Sequence, residues 1–183
     1  MRKFFIMSVS ILFLTTISSS CARSSDVRLY EGLEWGMTSF ECEELLVSLG
    51  YKKEAHVPSD RALYKRNMLY GIREMLFVKN NPDCKEMCTV ILFDDKLFRI
   101  SVNYEDFKQG FADKVVSSVT DNLSVSFRAM RGPNSDMRMY IWETGVTLAQ
   151  FRHHEIPKMK LLMATLEYVH LPSFSQLRKL GLQ

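Results

Sequence analysis

Leu97-Phe98-Arg99-Ile100-Ser101-Val102-Asn103-Tyr104 is the stretch that decides the fold. Phe98, Ile100, Val102 and Tyr104 alternate with Arg99, Ser101 and Asn103, and successive side chains of a strand point to opposite faces. The segment predicts a strand with one buried and one wet face, as in an antiparallel sheet covered on one side. Just before it, residues 89–93 form a second β run, and Asp94-Asp95-Lys96 supplies the turn of a hairpin. Upstream, residues 61–69 and 72–79 read as two further strands about Tyr70-Gly71. Downstream, residues 137–142 and 146–152, joined across Glu143-Thr144-Gly145, and residues 161–170 read as a second group of strands. Arg131-Gly132-Pro133-Asn134 is the loop that leads into it.

Helices separate these groups. Thr38 with Glu41 three residues later is a capping box, Met37 and Cys42 occupy the hydrophobic-staple positions, and Gly50 is placed as the C-terminal stop. Cys42, Leu45, Leu46 and Leu49 follow helical spacing and predict the buried face, so Cys42 reads as a core thiol. A second helix is expected from Asp106 to Asn122, with Asp106 and Gln109 at capping spacing. Phe107, Phe111, Val115, Val119 and Leu123 run down one side of it, and Gly110 weakens it by about 1 kcal/mol. A short terminal helix over 173–180 would start beyond Pro172 with Ser173 as its cap. Helix, strands, helix, strands predicts an α+β domain, an antiparallel sheet with two main helices packed on one face. The halves share an order of elements without a residue-by-residue repeat.

The whole chain has 183 residues, 46% of them hydrophobic and 25% charged, which suits one folded domain and not a disordered chain. No Gly-rich phosphate loop, closed metal-ligand motif or nucleophile elbow is present in the sequence. The formal charge of +3 includes Arg2 and Lys3, which precede the apolar run Phe4 to Leu14 and the small residues Ser18-Ser19-Ser20. This is the pattern of a secretory signal peptide over residues 1–20. A spanning helix needs about 20 apolar residues, roughly twice this run. Without residues 1–20 the chain carries 22 basic and 21 acidic groups, a net +1, so overall charge does not point to nucleic acid. The split is uneven: residues 26–60 hold 8 acidic and 3 basic groups, and residues 124–183 hold 8 basic and 4 acidic. No basic run exceeds two residues, and nothing interleaves it with the aromatic platform that nucleic acid requires.

Cys21 follows the small residues directly and resembles the lipid-modified cysteine of bacterial lipoproteins. Those boxes usually carry an aliphatic residue three before the Cys; here Ser18 stands there, with Ile17 one further back. Acylation would leave residues 21–27 as a short tether, hold the globular domain of residues 28–183 at a membrane surface, and place the protein on the periplasmic side. Conventional cleavage nearby would release it to the periplasm or beyond. Cys42, Cys84 and Cys88 then remain in a compartment where disulfides persist. Cys84 and Cys88 would lie about 13 Å apart on an extended strand, beyond the roughly 4.4–6.8 Å of a disulfide. A turn started by Asn81-Pro82-Asp83 would bring them together, which makes Cys84–Cys88 the candidate disulfide.

Leu33-Glu34-Trp35-Gly36-Met37-Thr38, followed by a capped helix with apolar Cys42 and Leu45 and ending at Gly50, resembles the start of small exported bacterial lipoproteins. These include the outer-membrane-assembly small lipoproteins and the β-lactamase-inhibitor-like fold. In them a pair of helices precedes three strands, whereas here strands intervene before the second helix. The resemblance implies a non-catalytic exported module that binds another protein through sheet or loop surfaces.

Candidate chemistry is sparse. Among His56, His153, His154 and His170, the adjacent His153 and His154 are the weak metal candidates, with Glu155 next to them. On a strand, neighbours face opposite ways, so both can serve one metal only across a bend. The 11 Met read as adaptable core and interface filler; Met137 and Met139 share a strand face but lack a Cys or His partner there. No cofactor and no catalytic residue is assigned. The expectation is an exported envelope protein that binds another envelope protein, with a lipid anchor to the membrane if Cys21 is acylated. The alternative is a secreted or periplasmic enzyme, or enzyme inhibitor, with a site built by the loops at Asn80 to Cys88 and Arg131 to Asp136. The first predicts an exposed apolar patch or open sheet edge, the second a concave pocket with convergent polar groups.

Overall fold

In the computed structural model, residues 28–55, 61–108, 110–131, 137–156 and 161–181 are described. The signal peptide, Cys21, the tether to residue 27 and His56 lie outside them. Their centre is an antiparallel eight-stranded sheet in the order β1-β2-β3-β4-β8-β7-β6-β5. The strands are β1 (Lys52–Glu54), β2 (Ile72–Asn80), β3 (Lys85–Phe93), β4 (Lys96–Glu105), β5 (Arg128–Arg131), β6 (Met137–Glu143), β7 (Thr147–Ile156) and β8 (Leu161–His170). From either edge four strands run in chain order up to the β4–β8 seam. Meanders β2-β3-β4 and β6-β7-β8 meet at a seam where Ile100 pairs with Tyr168 and Val102 with Leu166. Both edges are short strands whose residues are all exposed, β1 with two Lys and β5 with two Arg, which discourages edge-to-edge pairing.

Helices α1 (Ser39–Ser48) and α3 (Phe111–Leu123) cover one face, as expected. Thr38 and Glu41 form the capping box, and Gly50 takes φ +88° just past the helix end. Cys42 and Leu46 of α1 and Val115, Val119 and Leu123 of α3 enter one core with Phe77, Cys88, Val90, Ile100, Val102, Phe151, Leu166 and Tyr168. Leu49, expected on that face, is exposed. Each large apolar side chain buried there contributes about 1.5–3 kcal/mol.

Several expectations are corrected. Residues 61–69 are a helix, α2 (Arg61–Leu69), not a strand. Ala62, Lys65, Arg66 and Met68 are good helix formers and the run holds no β-branched residue, so intrinsic preference and structure agree. Helix α3 starts at Phe111 rather than near Asp106, because Asp106 (φ +55°) and Gly110 (φ +80°) both take left-handed conformations. Phe107 still reaches the core, from the loop. Helix α4 (Leu171–Lys179) includes Pro172 in its first turn, where a missing N–H costs nothing. Ser173 is no cap: the N-cap is His170, and its Nδ1 lies 2.8 Å from Ser173 Oγ. Strand β3 begins at Lys85, so the anticipated turn between Cys84 and Cys88 is extended chain.

The face away from α1 and α3 is mostly open. Leu177 of α4 covers one corner, against Ile72, Phe98, Ile91 and Phe93. The clean alternation expected of β4 breaks there: Leu97 enters the main core and Phe98 the corner cluster, beside an irregularity of the β3–β4 register at Ile91 and Leu92. No helix among the described residues is long and apolar enough to cross a membrane.

Candidate functional site

Glu86 is the one buried carboxylate among the described residues, 6% exposed on the helix-covered face of β3. It stands between Cys84 and Cys88 in the alternation that turns Lys85 and Met87 outward. Four neutral groups supply its hydrogen bonds. Tyr30 and Tyr51 hydroxyls donate to Oε2 at 2.6 and 2.5 Å, while Asn81 Nδ2 and the Cys84 thiol, the latter at 3.5 Å, donate to Oε1. The two phenols also lie 2.6 Å from each other. Lys79, the cross-strand neighbour of Glu86, places its ammonium 4.9 Å from the centre of the Tyr51 ring. A buried carboxylate needs such donors, since an unsatisfied one costs several kcal/mol.

Beside this cluster lies a cavity of about 550 Å³, bounded by the segment from Arg28 to Glu34, by α3 and by the sheet. Tyr30, Glu86, Tyr104 and Tyr168 line its inner side, and Arg28 and Lys114 its rim. Burial, first of all, raises the pKa of Tyr30, Tyr51, Tyr104 and Tyr168, so each phenol keeps its proton. Burial likewise pushes the Cys84 thiol up to about 12, with Glu86 adding to the shift. The cavity is concave and its polar groups converge, as an enzyme would require. The carboxylate is held by four donors, and the protonated phenols that line the cavity offer hydrogen bonds to whatever enters it.

The expected Cys84–Cys88 disulfide is not formed: both residues, with Cys42, are buried free thiols. Three strand residues, Lys85, Glu86 and Met87, separate them, a geometry a disulfide cannot span. The 81–84 turn does exist, closed by Asn81 N–H donating to Cys84 O at 2.9 Å, but it ends where the strand begins. Lys108 ties that loop to the start of α3, 3.0 Å from Asp83 Oδ1, and its hydrogen bond holds the Asp83 carboxyl below its usual range. Of the second loop of the alternative reading, residues 132–136 lie outside the described residues.

His153 and His154 are separated by the pleat. His153 faces the helix side, its ring stacked 6.1 Å from Tyr140 and 5.8 Å from Phe151. His154 points to the open face, flanked in register by Met137 and Met163. Among the described residues no three His, Cys, Asp or Glu side chains gather where they could hold a metal. Sequence reading missed Glu86 and its phenols, although a period-2 reading of Cys84-Lys85-Glu86-Met87-Cys88 would have turned Glu86 inward.

The open face is the other feature. On β2, β3, β6, β7 and β8 it carries half-buried or exposed Leu76, Met87, Ile141, Leu148 and Met163. At its centre Arg99 pairs with Glu167 across the β4–β8 seam, and Arg152 lies 4.0 Å from the same carboxylate. Compared with protein-family models, curated proteins and solved structures, the chain matches none.

Proposed function

We propose that the protein is an exported envelope protein, anchored through an acylated Cys21, that acts without catalysis by binding another envelope protein. The observation that supports this most is the uncovered sheet face. Over five strands it presents apolar side chains around one satisfied charge cluster, while both sheet edges are short and basic. A partner protein would cover the scattered apolar side chains and leave the Arg99–Glu167–Arg152 cluster paired. The signal-peptide pattern and the small residues before Cys21 support the location.

The test combines fractionation with site-specific photocrosslinking. The wild type should sediment with membranes and Cys21→Ala should not. A photoreactive residue at Thr89 or Ser101, on the open face, should give one discrete adduct in intact cells, and the same residue at Glu44 or Ser117, on the outer sides of α1 and α3, should not. Soluble wild type, or equal crosslinking from both sides, would overturn the reading.

The cavity beside Glu86 supports a second reading, a small-ligand or enzymatic site. Ser118→Trp, at an exposed position of α3 that lines it, would obstruct it; unchanged crosslinking and function in that variant favours the sheet face, and loss of function with crosslinking intact favours the cavity.

A further inference from the structure

We propose that Met137, His154 and Met163 form a Cu(I)-binding site on the open face of the sheet. The three residues come from adjacent strands β6, β7 and β8, and the register sets them in one row: Met137 opposite His154, and His154 opposite Met163. Directly opposed residues of antiparallel strands share a face and have Cβ atoms about 4.5–5.5 Å apart. The imidazole therefore stands in the middle with a flexible thioether on each side, each able to lean over it. Met163 is 45% exposed and Met137 and His154 are half-buried, so an ion from solvent can reach the row. Among the described residues none of the three side chains has a hydrogen-bond or ion-pair partner to give up.

The donor set selects the ion. Thioether sulfur is a soft ligand that favours Cu(I), imidazole accepts it, and hard cations such as Mg²⁺ and Ca²⁺ want oxygen ligands instead. The next described residue in the row, Glu105, is paired with Lys85 at 3.1 Å. Arg152, two positions before His154 on the same face, lies close to Glu167, which offsets its charge. Met139, one rung along β6, differs in one respect that makes it a control: Gln150 Nε2 lies 2.9 Å from its sulfur.

Anaerobic titration of the mature chain with Cu(I), in competition with bicinchoninate, should give a one-to-one complex. Met137→Leu and Met163→Leu should each weaken it at least tenfold, His154→Ala should abolish it, and Met139→Leu should leave it unchanged. With Ag(I) as a diamagnetic substitute, the methyl signals of Met137 and Met163 and the ring signals of His154 should shift, and those of Met139 and Met37 should not. Circular dichroism of each variant should match the wild type, which separates loss of the site from loss of the fold. No complex, equal loss in Met139→Leu, or loss only when Cys42, Cys84 or Cys88 is replaced by Ser would overturn the site. Membrane fractionation and crosslinking from Thr89 do not depend on the metal, so failure here is distinguishable from failure of the docking reading.

Discussion

The indole Nε1 of Trp35 donates a hydrogen bond to Oγ1 of Thr147 at 2.8 Å, joining residues 112 positions apart. Both are buried, Thr147 completely. Trp35 belongs to the segment before α1, and Thr147 opens β7 of the second meander, so this bond fastens one half of the chain to the other. Trp35→Phe keeps most of the apolar surface and removes the donor. The expected loss is about 1–3 kcal/mol, seen as a lower urea midpoint at unchanged slope. In Trp35→Phe/Thr147→Val the unsatisfied hydroxyl is also gone, and the loss should be smaller than the sum of the single changes.

Burial pushes the Cys42 and Cys84 thiols up to about 12 and raises Cys88 further. An unfolded thiol titrates near 9, so above that pH the unfolded chain holds fewer protons than the native one and stability falls as pH rises. Below pH 9 both states are protonated and the stabilisation is fully present. Denaturant midpoints should therefore be flat from pH 7 to 8 and decline above 9, less steeply in Cys42→Ala. In a Cys21→Ala chain, iodoacetamide should label no cysteine at pH 7.5 while the protein is folded and three after unfolding. A disulfide between Cys84 and Cys88 would leave one.

His170 behaves in the opposite sense. It caps α4 beside the Trp35 ring, 5.4 Å between ring centres, and burial lowers its pKa. The unfolded imidazole binds a proton near pH 6.5 while the folded one resists it, so stability is complete above that value and is lost as pH falls. One such group contributes at most about 1.36 kcal/mol per pH unit. Between pH 7.5 and 5 the wild type should lose more stability than His170→Asn, measured as the difference between two urea series.

The architecture was legible where period and punctuation agreed. Thr38, Glu41 and Gly50 bound α1 from both ends, and the alternation through Ile100, Val102 and Tyr104 set the central strand. Errors came where one local signal was read alone. Asn81-Pro82-Asp83 was extended into a turn through Cys88, which hid the inward alternation of Cys84, Glu86 and Cys88. Asp106 has capping chemistry, but left-handed backbone at Asp106 and Gly110 delays α3 to Phe111. Edge strands β1 and β5 are too short to show a period. The Glu86 cluster depends on Tyr30 and Tyr51 reaching it from outside β3, and the Met137–His154–Met163 row on the register of three strands, neither of which a single window of sequence contains.

Gly71 provides the last test, because it joins α2 to the sheet under two constraints at once. Its φ of +75° is left-handed, and a Cβ placed there would lie 2.6 Å from Oδ1 of Asp94. That oxygen ends a side chain that can turn aside, whereas the Asp94 N–H, donating to the Gly71 carbonyl at 3.1 Å, holds the junction itself in place. Gly71→Ala should cost about 1–2 kcal/mol from the backbone conformation, with little added once the Asp94 carboxylate turns aside. Adding Asp94→Gly removes the carboxylate and relaxes the positive φ of residue 94, and should leave the conformational cost at residue 71 in place. Equal stability of Gly71→Ala and wild type in urea melts would show that this junction is not held in the left-handed conformation.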